Sequence, residues 1–326
     1  MPEESPRLFR APLRSAGLGV DHEEQVAYAR KKGVVGPGWG FGPDAPAPAS
    51  WAEARERLWH ADDKRGFHVV DRFAAAPTGS LVWSRDVDGR YLLGQLVGGW
   101  RYHRSRQAAA VDLQNVRPVR WAPETVLEDV VPAAVVRAWA GRSTSFHEIH
   151  NPLARLLSVR LYDTLMDKEP EPLELTQGEV VRELLDPFDV EDLVCAFLQV
   201  RHNYIVLPAS HRSDTPAYEQ LLISRDDGHR AIFQVKTGDT PVDLQSLRKA
   251  AAKDAHAFAY STTGAYSGDK RGLSIIEEDE LLTFARQHDQ YLPERVRRAF
   301  EYSQKSSGTE RLNTLHEAPR GKEPRE

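Results

Sequence analysis

Residues 217–238 read Ala-Tyr-Glu-Gln-Leu-Leu-Ile, then Ser-Arg-Asp-Asp-Gly-His-Arg, then Ala-Ile-Phe-Gln-Val-Lys-Thr-Gly. Two β-rich runs flank a turn-forming segment, which predicts a hairpin with a loop longer than two residues. Side chains on a strand alternate faces, so Gln234 and Lys236 project together while Phe233 and Val235 point the other way. A lysine on so apolar a strand is costly unless an anion meets it, and Glu219 on the partner strand is the nearest candidate. A carboxylate, a carbonyl oxygen and an ammonium on adjacent strands form a hard-cation site beside an amine that can orient water. Magnesium suits such a set, with manganese as its alternative, because it takes oxygen ligands and completes its shell with water and phosphate. The chemistry implied is phosphodiester hydrolysis.

The order of acid, strand and Gln-x-Lys resembles the nuclease core written Pro-Asp then Asp/Glu-x-Lys, in the Gln variant of Mrr-type restriction endonucleases. The resemblance runs over roughly residues 186–300. Val190-Glu191-Asp192-Leu193-Val194 is similar to the opening helix with its acid, and Asn203-Tyr204-Ile205-Val206 to the first strand. The stretch from Ala257 to Gly264 is similar to the late strand and Thr-rich turn, and that from Ile275 to Leu282 to the closing strand and helix. Two features depart from the pattern: Glu219 follows Ala217-Tyr218 rather than forming Pro-Asp, and the Asp-Gly-Gly-Ile-Asp turn is missing. The resemblance implies catalytic roles for Glu219, Gln234, Lys236 and Glu191, with Glu219, Gln234 and Glu191 as metal ligands.

Among the ten lysines only Lys64 and Lys236 have Asp, Glu or Gln two residues before them, and Lys64 has no apolar strand around it. Strand context therefore carries the reading. The competing interpretation is a structural Glu219–Lys236 ion pair in a noncatalytic α/β domain. Asp192 competes with Glu191 as the upstream acid, and acids early in a helix are also favoured by its dipole.

A chain of 326 residues suggests two domains and a linker. Cys195 alone rules out an intrachain disulfide and a cysteine zinc site. The sequence lacks a run of 18 apolar residues and a signal-peptide pattern, so no membrane association and a cytoplasmic location are expected. The formal net charge is −5; residues 1–150 hold 20 Lys and Arg against 18 Asp and Glu, and the remainder 23 against 30. DNA contacts must then come from local patches rather than a global field.

Toward the N-terminus, Asp21–Lys32 predicts a helix closing on Gly33. Gly36-Pro37-Gly38-Trp39-Gly40-Phe41-Gly42 is a Gly-rich turn without the Gly-Lys-Ser/Thr ending of a phosphate loop. A helix near Trp51–Leu58 comes next. Gly79–Arg85 and Tyr91–Val97 predict a hairpin, Trp100–His103 and Asp112–Trp121 further strands, and together a small β-barrel. Gly38-Trp39, Gly79-Ser80-Leu81-Val82-Trp83 and Gly98-Gly99-Trp100-Arg101-Tyr102 resemble EVE and related PUA-like domains, with Ser80 where those carry an acid. The resemblance implies an aromatic pocket of Trp39, Trp83, Trp100 and Tyr102 for a modified or flipped base. The competing fate of these rings is the core. Helices are expected at Pro132–Ala140 and His147–Leu161, with capping-like Ser143-Thr144-Ser145 between them. His147 and His150, without a third ligand nearby, read as surface residues.

The expected fold class is therefore α+β or α/β in two domains, a PUA-like small β-barrel with flanking helices and a restriction-endonuclease-like α/β core with a mixed sheet. The expected boundaries are a disordered arm at 1–16, the base-reading unit at 17–150, a helix and linker at 151–185, the nuclease unit at 186–304 and a disordered tail at 305–326. The expected function is magnesium-dependent DNA cleavage of the restriction type, on plain or modified DNA, by a homodimer. Alternatives are a non-cleaving nucleic-acid binder with a degenerate nuclease scaffold and an RNA-directed nuclease.

Overall fold

The computed structural model describes residues 6–13, 19–61, 64–140, 146–170, 173–207, 217–252 and 254–303. The tail, the Ser143-Thr144-Ser145 stretch and parts of the arm lie outside them. The protein is a mixed α+β structure built on two main sheets.

The first sheet comprises β1 (Leu8–Arg10), β2 (Val34–Val35), β3 (Leu81–Arg85), β4 (Tyr91–Leu96), β5 (Arg101–Tyr102), β6 (Asn115–Trp121) and β7 (His147–Glu148). Its order is β2-β6-β4-β3-β1-β7, with β5 also on β6. The pairings among the described residues leave it open, so the expected barrel does not close. The β3–β4 hairpin forms as read, with Trp83 opposite Leu93. The arm is a correction: Leu8-Phe9-Arg10 is a buried strand, parallel to β3 and antiparallel to β7. Two adjacent apolar residues bury opposite faces there, Leu8 and Phe9 joining different cores.

That alternation organises the whole sheet. Phe9, Val82, Leu92 and Val116 face one cluster, which α1 (His22–Lys32) and α3 (Lys64–Ala75) cover through Val26, Ala29, Val69 and Phe73. Leu8, Leu81, Trp83, Tyr91 and Leu93 face the other, covered by residues of α5 (Ala133–Ala140) and α6 (Pro152–Leu165). Between α1 and α3 lies α2 (Trp51–His60), and α4 (Arg106–Ala110) precedes β6. Because both faces are buried, the strands read as near-continuous apolar runs. The helix expected from His147 begins later, since Asn151 caps it and Pro152 supplies the first turn; His147 lies in β7 instead.

The second sheet comprises β8 (Tyr204–Val206), β9 (Gln220–Ser224), β10 (Arg230–Lys236), β12 (Ala255–Ser261) and β14 (Ser274–Ile275), in the order β14-β12-β10-β9-β8. Short β11 (Val242–Asp243) and β13 (Tyr266–Ser267) pair separately. The expected hairpin is β9–β10, antiparallel with Phe233 opposite Gln220, and β12 lies parallel to β10. On one face, Phe233, Val235, Phe258 and Tyr260 pack against α8 (Pro187–Arg201), α10 (Glu278–Gln287) and α11 (Glu294–Ser303). On the other, Ile232, Ala257 and Ala259 pack against α9 (Leu244–Ala251), whose Leu244 and Leu247 are fully buried. α7 (Gln177–Glu179) runs into a π-helical turn, Val180–Leu184. Val180, Val181, Leu184 and Leu185 belong to this core, so part of the expected linker is integral to the second sheet's packing.

The halves meet through polar contacts. Arg137 of α5 forks onto both carboxylate oxygens of Asp186 at 2.7 Å each, and its guanidinium lies 4.6 Å from the Phe188 ring centroid. Arg160 of α6 lies 5.6 Å from the Tyr302 ring centroid of α11. No helix among the described residues is long and apolar enough to cross a membrane.

Candidate active site

The parallel β10–β12 ladder ends with Lys236 beside Ser261, and this carboxyl edge is where the charged groups gather. Glu219, just before β9, is held there by its own backbone, whose N–H donates to Phe233 O at 2.8 Å. Its Oε1 accepts from Lys236 Nζ at 3.3 Å and from Val235 N at 3.4 Å. The pairing anticipated from the hairpin is thus a direct contact, and both side chains keep some exposure.

Helix α8 delivers the third group. Asp186 caps it in a reciprocal capping box with Asp189, and Pro187 occupies its first turn. Four residues on, Glu191 lines a cleft of about 160 Å³ with Pro187, Val235, Lys236, Thr237 and Thr240. Burial pushes the Glu191 carboxyl up to about 7; the charge of Glu219 adds to the rise and Lys236 opposes it. Such a group gains when a cation neutralises the pair, which is the behaviour of a hard-metal carboxylate.

Of the two upstream acids, Glu191 faces this centre, whereas Asp192 Oδ2 accepts from Arg295 at 2.7 Å. Arg295 also bonds buried Asp189. Gln234 departs from expectation. It is 3% exposed, shares the strand parity of Ile232 toward the α9 side, and is not among the side chains lining the cleft. Lys236 has the same parity, yet it stands at the strand's end, where its long side chain reaches round to Glu219.

A cation here would be held by Glu191 and Glu219, with the Val235 carbonyl at the cleft as the oxygen donor remaining from the expected set. The fit is that of an ion keeping several waters. No group of three or more His, Cys, Asp or Glu placed to hold a metal occurs among the described residues.

The four aromatic residues separate. Trp83 is fully buried, its indole N–H donating to Ser158 Oγ at 3.0 Å and its ring edge-on to Tyr91. It is core, because β3 is covered on both faces. Trp39, Trp100 and Tyr102 lie half-buried in one region. Trp100 donates to Asn115 Oδ1 at 3.2 Å and packs 5.1 Å from Trp51 and 6.3 Å from Tyr102. Tyr102 stacks on Phe41, which Arg57 covers at 3.9 Å. The Asn115 amide donates to the Gly38 and Trp39 carbonyls, fixing the Gly-rich turn, while the Trp39 ring lies tightly against Gly66, where a Cβ would fall 2.3 Å from it. Trp51, Phe41 and Arg57 were missed in the sequence; their spacing on a short helix and a loop gave no periodic signal. Asp186-Pro187, by contrast, is a readable helix start.

No protein-family model matches the chain, and no curated protein matches it. Among solved structures, the DNA modification-dependent restriction endonuclease AspBHI is similar at 12% identity, over 84% of this chain and 80% of its own, with a TM-score of 0.22. A score that low carries no structural argument, and the reading of the site rests on its own geometry.

Proposed function

We propose that this chain is a divalent-metal-dependent endonuclease of the restriction type, hydrolysing phosphodiester bonds in DNA. The observation that carries the reading is the convergence of Glu191, Glu219 and Lys236 at one sheet edge, with the Glu191 carboxyl pushed up to about 7. Two carboxylates that repel each other at a partly buried sheet edge, Glu191 in the cleft and Glu219 on the lysine beside it, suit a magnesium or manganese ion. When bound, the ion supplies charge neutralisation at the phosphate and activation of a water molecule. Lys236 orients that water and offsets the charge that develops on the phosphate oxygens. Glu219 and Glu191 hold the ion, and Glu219 also fixes the ammonium of Lys236. Trp39, Trp100 and Tyr102 form the surface to which a modified base is assigned, and a homodimer supplies a second site for the opposite strand.

A second reading has its own observation. Glu219 and Lys236 already satisfy each other at 3.3 Å, as in a scaffold that binds nucleic acid without cutting it. Incubation of the chain with supercoiled DNA, modified and unmodified, with magnesium, manganese or chelator separates the two. Metal-dependent nicking that Glu219→Gln and Lys236→Ala abolish supports the nuclease; binding without nicking in either metal supports the scaffold.

A further inference from the structure

Beside the catalytic edge lies a larger cleft of about 580 Å³, within the roughly 300–1,000 Å³ of small-ligand sites. It shares a wall with the lysine strand. Thr262 N donates to Lys236 O at 3.1 Å, and Gly238 N donates to Thr262 Oγ1 at 3.2 Å. Adjacent strands lie about 4.8 Å apart, so the two clefts are neighbours along one sheet edge.

Its lining is mixed in a particular way. Arg182 and Lys270 stand against Glu277 and Glu278, so the charges balance and neither a bare anion nor a bare cation is favoured. Arg182 is paired with Glu278 at 2.6 Å. Glu277, at the head of α10, makes no side-chain capping bond and is exposed at the rim. Tyr266 and Ile275 give the cleft partly apolar walls, and Lys270 Nζ sits 4.6 Å from the Tyr266 ring centroid.

The decisive group is Tyr260. The residue is 1% exposed, it lines this cleft, and its hydroxyl has no hydrogen-bond partner among the described residues. Buried hydroxyls are nearly always bonded, so an orphaned one in a residue that lines a cleft marks a position where a ligand that settles into the wall supplies the partner.

We propose that this cleft takes one unstacked nucleotide whose base carries an exocyclic amine, drawn from the strand being cut. The Glu277 carboxylate accepts from the amine, as carboxylates do from cytosine N4. The Tyr260 hydroxyl donates to a ring nitrogen or carbonyl of the same base, and Lys270 meets its phosphate. The inference rests on the nuclease reading for the origin of the nucleotide, and on the cleft alone for its binding.

The test titrates the full-length chain, without divalent metal, with dCMP, dAMP and dTMP by ligand-observed NMR, and compares Tyr260→Phe and Glu277→Gln. Saturable binding of dCMP or dAMP is expected, weaker for dTMP, and reduced about tenfold in each variant, the loss of one hydrogen bond. Tyr260→Phe should melt at or above the wild-type temperature, since it removes a buried polar atom that makes no bond within the fold. The proposal is overturned if no nucleotide saturates, if dTMP binds as tightly as the others, or if both variants bind like wild type. It also fails if Tyr260→Phe melts clearly lower, for then the hydroxyl is already bonded inside the fold. Nucleotide binding that persists in a chain that never nicks DNA would sink the nuclease reading and leave this site standing.

Discussion

In the first sheet, the guanidinium of Arg117 is almost wholly buried and ends on the Gly98 and Phe73 carbonyls at 2.9 and 3.2 Å, on that of Ala76 and on the Thr78 hydroxyl. At the edge of the second, burial and then the charge of Glu219 push the Glu191 carboxyl up, and the Tyr260 hydroxyl meets no described partner. Both regions bury polar atoms, but Arg117 completes its bonds from within the fold, whereas Glu191 and Tyr260 do not. A raised carboxyl beside an ion pair at a cleft is the kind of unfinished electrostatics that marks a candidate site.

The contrast can be broken first at Trp83. If it is core, Trp83→Ala should cost about 3–5 kcal/mol in urea unfolding. A loss below about 1 kcal/mol would return the ring to a pocket wall.

Next in size comes the Glu219–Lys236 edge. Glu219→Gln or Lys236→Ala should slow metal-dependent nicking at least about a hundredfold, while melting moves little, because a partly exposed ion pair adds little to stability. A variant that cuts normally would reduce the pair to a structural one.

A third experiment sharpens the difference between Trp83 and Trp100. In a Glu219→Gln background, which keeps DNA intact, Trp100→Ala should weaken binding to modified duplex about ten- to a hundredfold and leave plain duplex almost unchanged, since base stacking is worth about 1–3 kcal/mol. Titration of paired duplexes at fixed salt measures it. Equal losses on both would assign the ring to packing alone.

The smallest effect is in pH. Because the folded-state pKa of Glu191 is raised to about 7, the stability linked to its protonated form is complete below the ordinary value of 4.5. It is lost as pH rises through about 7. Glu191→Gln lacks that loss, so it should melt about a few degrees above wild type at pH 8 and lose this advantage near pH 4. Magnesium at pH 8 should raise the wild-type melting temperature and not the variant's. Parallel curves from pH 4 to 8 would remove Glu191 from the centre.

Much of the second sheet was legible because its cues are local. The turn residues Asp226, Asp227 and Gly228 announced the hairpin, and alternation around Gln234 predicted which side chains enter the core. What alternation could not tell was that Gln234 stays on the α9 side while Lys236, at the strand's end, reaches Glu219. The α9 helix was not anticipated, since Leu244, Leu247 and Ala251 make a stripe too short to stand out. β1 was hidden for another reason. Leu8-Phe9-Arg10 is only three residues long, and its partners lie more than seventy positions away in β3 and further still in β7. Nothing local in a Pro- and Arg-rich arm distinguishes such a strand. The choice between Glu191 and Asp192 likewise waited on a distant group, Arg295, which claims Asp192.

The fork from Arg137 to Asp186 bears on how this molecule can be taken apart. Asp186 is almost fully buried, and it both caps α8 and receives a guanidinium from the helix covering the first sheet. A fragment starting after residue 150 would keep the carboxylate and lose its countercharge; because the Arg137 side chain is 39% exposed, the penalty lies below the roughly 3–5 kcal/mol of a fully buried pair. That penalty falls on the turn of helix leading to Glu191. Dissection at the apparent seam would therefore yield a second-sheet half handicapped at the first turn of α8, and grafting that half onto a foreign unit would require an arginine to be carried along with it.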